Sequence, residues 1–250
     1  MAIGAPVLGP APDETAIAAV HRLVDTEQVG LVFQPIVDLH RRVAWAHEAL
    51  ARPKDDYFRG PLEMFEAAVH ARRVGELGRL HRKQATRLAP PGPLFLNVNP
   101  YEFEVGWLVR PDEPLFLARQ QVCLEITESA PIDFFDQCHS VLAEIRKKGV
   151  WLAIDDLGAG YSNLRYITDL EPEVIKLDRQ LITGIRPRST QFKLLRSIVE
   201  LGHEVGAKVV VEGIETVEEL LTVLEARVRY AQGYLLARPA FPAPEVNWPI

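Results

Sequence analysis

Apolar positions along the chain fall into two alternating rhythms. From Asp13 to Gln28 they recur near helical spacing, at Ile17, Val20, Leu23 and Val24, which predicts an amphipathic helix. Two strand-like runs follow, Leu31-Val32-Phe33-Gln34-Pro35-Ile36-Val37 and Val43 to Arg52, joined by the short polar segment His40-Arg41-Arg42. So short a connection suits an antiparallel pair, and the chain is expected to begin with a hairpin. One long helix is predicted over Pro61 to Leu88, with Leu62, Phe65, Val69, Val74, Leu77 and Leu80 as its buried stripe and Pro61 in its first turn.

Beyond it, strands are predicted over Leu94 to Asn99, Val122 to Glu128, Val150 to Asp156, Val174 to Arg179, Lys208 to Gly213 and Tyr230 to Ala237. Helices fall between them, over Ile132 to Lys148, Asn163 to Leu170, Thr190 to Val205 and Val217 to Leu224. Tyr101 to Gln121, with Pro111 and Pro114, follows neither rhythm. This regular alternation is the mark of an α/β fold with a parallel sheet covered by helices. Eight strands in 250 residues point to a closed (β/α)8 barrel. Met1 to Pro12, rich in Gly, Pro and Ala, is expected to be a flexible leader, and 13–250 a single barrel domain.

Composition narrows the chemistry. Hydrophobic residues make up 48% and charged residues 25%, the proportions of a soluble globular chain. A net charge of −6 argues against binding a nucleic acid polymer, though not against a phosphate ligand whose charge a metal ion offsets. The two cysteines, Cys123 and Cys138, allow neither a disulfide framework nor a Cys-rich metal site. No secretory signal is evident, and no apolar run approaches the ~20 residues needed to span a bilayer. A cytoplasmic protein is expected.

Polar residues collect where the strands end. The second strand ends with Glu48, Leu50 and Arg52 on one face, and the third with Asn97 and Asn99, again of one parity. Glu125 and Glu128 close the fourth, but their odd separation lets only one of them face the barrel mouth. Asp155 and Asp156 end the fifth, Lys176 and Asp178 share a face of the sixth, and Glu212 ends the seventh with Glu215 just beyond. Gln232 and Gly233 lie in the last segment. In such barrels the reactive groups gather at the carboxyl ends of the strands. Several carboxylates, an amide and one ammonium on one mouth suit hard divalent cations, Mg²⁺ or Mn²⁺, and four or five acids suit two ions. A paired-metal site fits in-line hydrolysis of a phosphate ester.

In series, these segments resemble the EAL-domain phosphodiesterases that hydrolyse cyclic di-GMP. The resemblance is carried by Phe33-Gln34-Pro35-Ile36-Val37, Glu48-Ala49-Leu50-Ala51-Arg52, Asn97-Val98-Asn99, Leu124-Glu125-Ile126-Thr127-Glu128-Ser129 and Asp155-Asp156-Leu157-Gly158-Ala159-Gly160-Tyr161-Ser162. It continues through Ile175-Lys176-Leu177-Asp178-Arg179, Val211-Glu212-Gly213-Ile214-Glu215-Thr216 and Ala231-Gln232-Gly233-Tyr234, in the family's order. The chain departs from the family at Leu157, where Phe is usual, at Asn99, where Ser is common, and at Val228-Arg229-Tyr230, which replaces a segment that commonly includes an Asp.

The resemblance implies a modified TIM (β/α)8 barrel with an antiparallel strand, and opening of cyclic di-GMP to linear pGpG. It implies that Glu48, Asn97, Glu125 and Asp155 are metal ligands, with Asp156 completing the second of two metal sites. Lys176 and Glu212 would hold and deprotonate the attacking water. Gln34, Leu50 and Arg52 would contact substrate, Arg52 on a phosphate, with Asp178 in the same group and Gln232 positioning water or ligand. Glu128 would pin the loop after the fifth strand, and Glu215 would support the site. A homodimer, and a regulatory or sensory partner, belong to the same expectation. The alternative is a catalytically silent cyclic di-GMP receptor or partner-docking module.

Overall fold

The computed structural model of the chain describes residues 12–104, 106–127, 132–158 and 164–249. The Asp13 side chain accepts a hydrogen bond from the Ala16 amide at 2.8 Å and so starts α1 (Glu14–Asp25). β1 (Val29–Asp38) and β2 (Val43–Pro53) form the expected antiparallel hairpin, with Gln34 opposite Glu48.

The single helix expected over 61–88 is two helices, α2 (Pro61–His70) and α3 (Val74–Leu88). Arg72 between them takes a left-handed conformation with φ of 55°. The amides of Arg72 and Arg73 turn back onto the carbonyls of Val69 and Ala68, at 3.0 and 2.9 Å, and so end α2. Arg73 then ties the break to the preceding elements, bonding Asp25 at 2.8 Å and His21 Nδ1 at 3.0 Å.

Next come β3 (Leu94–Asn97), α4 (Tyr101–Glu104), α5 (Pro114–Leu117), β4 (Val122–Thr127), α6 (Ile132–Lys147), β5 (Trp151–Leu157) and α7 (Arg165–Leu170). The chain continues through β6 (Val174–Leu177), α8 (Thr190–Val205), β7 (Lys208–Val211), α9 (Val217–Glu225) and β8 (Tyr230–Ala231). The strands close in sequence order into a barrel in which β2 to β8 run parallel. β1 alone is reversed, antiparallel to both of its neighbours. The fold is thus a modified TIM barrel. No described helix is long and apolar enough to cross a membrane.

β8 is much shorter than the strand expected over 230–237. The Gln232 amide still donates to the Val211 carbonyl, but the amides of Leu236 and Ala237 bond locally to the Gly233 carbonyl. The strand therefore ends in a turn. A Cβ at Gly233 would lie 2.2 Å from the Ile214 carbonyl oxygen, an approach only glycine allows.

One buried residue from each strand fills the barrel interior: Ile36, Ala46, Phe95, Cys123, Ala153, Val174, Val210 and Tyr230. A larger apolar shell, including Leu96, Leu124, Leu152 and Ile175, lies between the strands and the helices. A third cluster packs α1, α2 and α3 beside the hairpin.

Candidate active site

The functional layer follows from strand periodicity. On each parallel strand, the residue two positions after the interior plug points the same way, toward the carboxyl-end mouth. Those residues are Glu48, Asn97, Glu125, Asp155, Lys176, Glu212 and Gln232. On the reversed β1 the equivalent residue lies two positions before Ile36, and is Gln34. An apolar floor thus carries a polar layer directly above it.

Lys176 is the hub of that layer, with 1% of its surface exposed. Its Nζ lies 2.5 Å from Glu125 Oε1, 2.7 Å from Glu212 Oε1, 2.9 Å from Asp155 Oδ1 and 3.6 Å from Glu48 Oε2. Asn97 Nδ2 donates to Glu48 Oε1 and Glu125 Oε2, both at 2.9 Å, which leaves its carbonyl oxygen as the remaining ligand atom. Gln232 Nε2 donates to Glu48 Oε2 at 2.7 Å and Gln34 Oε1 at 2.9 Å. Gln34 Nε2 in turn donates to the Ala237 carbonyl at 3.1 Å. The fixed amides therefore hold Glu48 from both sides.

Asp156 breaks the alternation and still reaches the site. The register of β5 against β6 shifts between Ile154 and Leu157, and Asp156 has φ of 58°. This is a bulge with one residue in the left-handed region, which re-aims a side chain. Carboxylate oxygens of Asp155, Asp156 and Glu212 consequently lie within 4.8 Å of one another.

The electrostatics reflect too many carboxylates for one ammonium. Burial raises Glu125 well above the carboxylate range, and Glu48 adds to the rise. Burial likewise pushes Glu212 up to about 8 against the pull of Lys176, and Asp156 up to about 6 with help from Asp155. Glu48 is also driven up by burial, but Lys176, Gln232 and Asn97 together outweigh that and hold it below its ordinary value. For Lys176, burial works against the charged form, yet its carboxylate neighbours raise it well above normal. Five carboxylates with one amide oxygen fit hard divalent cations, which would supply the missing positive charge.

Two cavities open onto this layer and share Glu48, Leu50, Asp156 and Glu212. The larger, about 410 Å³, extends past Asn97 and Asn99 to Phe65 and His81. The smaller, about 260 Å³, is lined by Gln34, Asp178, Arg179, Glu215, Gln232 and Tyr234 among others. Asp178 also accepts from the Gln180 amide at 2.8 Å, capping the turn Arg179–Leu181. Arg52 lines neither cavity, and its Nη1 donates to the adjacent Ala51 carbonyl at 2.9 Å. Glu128 and most of the loop after β5 lie outside the described residues, while Leu157 before that loop is buried.

Sequence reasoning passed over His81. It sits four residues after Leu77 and four before Ala85, so helical spacing alone puts this polar residue on the buried stripe of α3. Arg179 and Tyr234 stand inside recognisable segments, but their place in the smaller cavity needs the barrel closed.

A family model for the EAL domain matches residues 17–239. Among curated proteins, the cyclic di-GMP phosphodiesterase NbdA of Pseudomonas aeruginosa is 30% identical over 233 residues, covering 85% of this chain and 29% of NbdA. The uncharacterized protein y4lL of Sinorhizobium fredii is 32% identical over 219 residues, covering 83% of this chain and 26% of y4lL. The chain therefore spans less than a third of the length of these curated relatives. A manganese and cyclic di-GMP complex of Klebsiella pneumoniae BlrP1 matches with a TM-score of 0.75 at 32% identity, covering 87% of this chain and 57% of that one. The FimX EAL domain of Pseudomonas aeruginosa bound to cyclic di-GMP matches with a TM-score of 0.78 over 90% of this chain and 96% of that one, a likeness of fold alone at 21% identity. With the family model spanning nearly all of the barrel, the chain belongs to the EAL domain family.

Proposed function

We propose that the chain is a divalent-metal-dependent phosphodiesterase that opens cyclic di-GMP to linear pGpG. The observation that carries this reading is the convergence of Glu48, Glu125, Asp155 and Glu212 on Lys176, with Asp156 brought in by its bulge. The cyclic di-GMP phosphodiesterase activity of NbdA and the manganese and cyclic di-GMP bound to BlrP1 support the choice of substrate and cation. Glu48, Asn97, Glu125, Asp155 and Asp156 would hold two ions, Mg²⁺ or Mn²⁺. Such ions, when bound, polarise the phosphodiester and make a coordinated water more acidic.

The chain's own groups do the rest. Glu212, turned to the mouth and held at 2.7 Å by Lys176, accepts the proton of the attacking water as its oxygen bonds to phosphorus. The P–O3′ bond breaks and the 3′-oxygen takes up a proton, leaving a linear dinucleotide with a 5′-phosphate. Lys176 balances the carboxylate charge and keeps Glu212 aimed. Gln232 and Gln34 hold Glu48, while Gln34, Leu50 and Asp178 line the smaller cavity as substrate contacts. Arg52 reaches a phosphate by releasing the Ala51 carbonyl. Glu215 supports the mouth beside Arg179, and Glu128 anchors the loop after β5.

Incubation of the purified chain with cyclic di-GMP and either ion, followed by anion-exchange chromatography, tests the reading. Appearance of pGpG that EDTA abolishes supports it. An intact cycle at stoichiometric enzyme refutes it, and tight binding in that same sample establishes the silent-receptor alternative. A cytoplasmic homodimer that answers to a regulatory partner completes the proposal. Sedimentation of a fully active monomer would remove the dimer from it.

A further inference from the structure

The amide relay beside Glu48 is fastened from outside the barrel mouth. Gln34 Nε2 donates to the Ala237 carbonyl, and Gln232 Nε2 bridges Gln34 Oε1 and Glu48 Oε2. A carbonyl and a carboxylate can only accept, so the two ends of the relay fix which way each amide faces. The Ala237 carbonyl draws the Gln34 NH₂ toward itself and leaves Gln34 Oε1 to receive Gln232. Gln34, Glu48, Gln232 and Ala237 are all buried. A continuous β8 does not place that carbonyl. Among the described residues, β8 pairs with β1 at Val37 and Asp38 only, and the chain then turns at Gly233. Beyond residue 239, where the family match ends, it returns to β1. The Phe33 amide donates to the Ala240 carbonyl at 2.9 Å and the Ala240 amide to the Phe33 carbonyl at 3.1 Å, an antiparallel pair immediately before Gln34. Asn247 fastens the residues just before Ala237. Its backbone amide donates to the Leu236 carbonyl at 2.7 Å and its Nδ2 to the Leu235 carbonyl at 3.0 Å. Ala243, Val246 and Trp248 pack on the apolar shell and seat the segment on the barrel.

We propose that residues 240–247 are a positioning strap for the metal site: they set the Ala237 carbonyl, which orients Gln34, which holds Gln232 on Glu48. The inference rests on the phosphodiesterase reading above, through the assignment of Glu48 as a metal ligand. Ala240 and Asn247 are positioning residues and line neither cavity of the site. Displacing the strap frees the Gln34 amide to turn, and one side of the hold on Glu48 loosens while Asn97 keeps the other. Partners that orient a metal ligand from outside are worth about 10–100-fold in metal affinity or activity. The strap acts from one bond further out, so its effect falls at the low end of that range.

The test uses the full chain and two variants. Ala240→Pro removes the amide that meets the Phe33 carbonyl and puts a ring in its place. Asn247→Leu removes only a side-chain donor and decides the matter if the proline variant does not fold. Mn²⁺ affinity by calorimetry is expected to fall about tenfold in Ala240→Pro and about fivefold in Asn247→Leu. Saturating Mn²⁺ should bring kcat for cyclic di-GMP back to within about twofold of the parent, because the loss lies in holding the ion. In a Gln34→Leu background, which lacks the link, the same changes should move Mn²⁺ affinity by less than about twofold. An unchanged Mn²⁺ affinity in a folded variant with a lowered melting temperature overturns the proposal. So do equal losses of affinity with and without Gln34, since both results belong to a segment that only stabilises the fold. A parent that binds Mn²⁺ without cleaving the cycle refutes the phosphodiesterase reading alone, and the Mn²⁺ affinities still decide the strap. A parent that binds no Mn²⁺ overturns both.

Discussion

Arg82 offers the sharpest test of how this barrel is held around its site. Its guanidinium is fully buried, with Nη1 2.6 Å from Glu102 Oε2 and Nε 2.7 Å from Glu113 Oε1. Glu102 Oε1 also accepts from the Asn99 amide at 3.1 Å, so the triad fastens the segment just beyond β3. Replacing Arg82 by Met keeps most of the volume, leaves Glu102 without a cation and leaves Glu113 only its longer pair with Arg79 at 3.3 Å. Breaking a buried pair from one side costs about 3–5 kcal/mol, so Arg82→Met is expected to lose about 4 kcal/mol. For a chain of this size that is a fall of roughly 8–16 °C in melting temperature.

The loss depends on pH. Burial already raises Glu102 above its ordinary value, outweighing Arg82, and without Arg82 it rises further. A raised folded-state pKa favours the fold below the unfolded value and is lost as pH climbs through the folded one. The deficit of Arg82→Met is therefore smallest near about pH 4, the ordinary carboxylate value, and grows toward neutrality. Denaturant unfolding of Arg82→Met and of Arg82→Met/Glu102→Gln/Glu113→Gln at both pH values measures it. The triple variant is expected to recover at least about half of the loss at pH 7, since it leaves no buried charge unpaired. A deficit below about 1 kcal/mol in the single variant would refute the argument, because surface pairs reach that much. So would a triple variant no better than the single.

Other outcomes follow from the same geometry. Glu212→Gln, a change of one atom, should reduce turnover of cyclic di-GMP by about 10²–10⁴-fold, the range for a general base, with the melting temperature little moved. Glu48→Ala should abolish turnover and weaken Mn²⁺ binding measured by calorimetry. Lys176→Met leaves its carboxylate neighbours without their ammonium, so its melting temperature should rise more on adding Mn²⁺ than the parent's does; equal shifts would argue against Lys176 as the charge hub. Glu219 accepts from the amides of Gly184, Glu215 and Thr216, and these bonds, against the opposing effect of burial, hold it below its ordinary pKa. Its stabilisation is present above the unfolded carboxylate pKa and lost as pH falls through the folded value, so Glu219→Gln should cost about 1–3 kcal/mol at pH 7 and progressively less as the solution is acidified below the ordinary carboxylate value.

Much of this was legible in the chain because strand periodicity is short-range. The step of two from plug to polar residue is visible in Phe95/Asn97, Cys123/Glu125, Ala153/Asp155 and Val174/Lys176. The tight His40-Arg41-Arg42 turn likewise announced the reversed β1. The break after α2 was hidden because Ala71-Arg72-Arg73 has neither Gly nor Pro, and an arginine takes the left-handed position. Asp156 reaches the site against the alternation of β5, through a positive φ at a non-glycine residue that the sequence does not announce. The early end of β8 depends on Ile214 crowding Gly233, a contact remote in sequence. Arg82 and His81 read as helix residues among others, because what they face is set by α4 and the segment after β3.

The plug of Ile36, Ala46, Phe95, Cys123, Ala153, Val174, Val210 and Tyr230 also governs traffic. With the interior stoppered at that level, the barrel is a cup and has no rear exit. On the phosphodiesterase reading, incoming dinucleotide, replacement water and departing product would all use one rim. On that reading, ring opening would lengthen the ligand without giving it another way out, and the product would have to uncoil past the groups that cut it before the next cycle could enter.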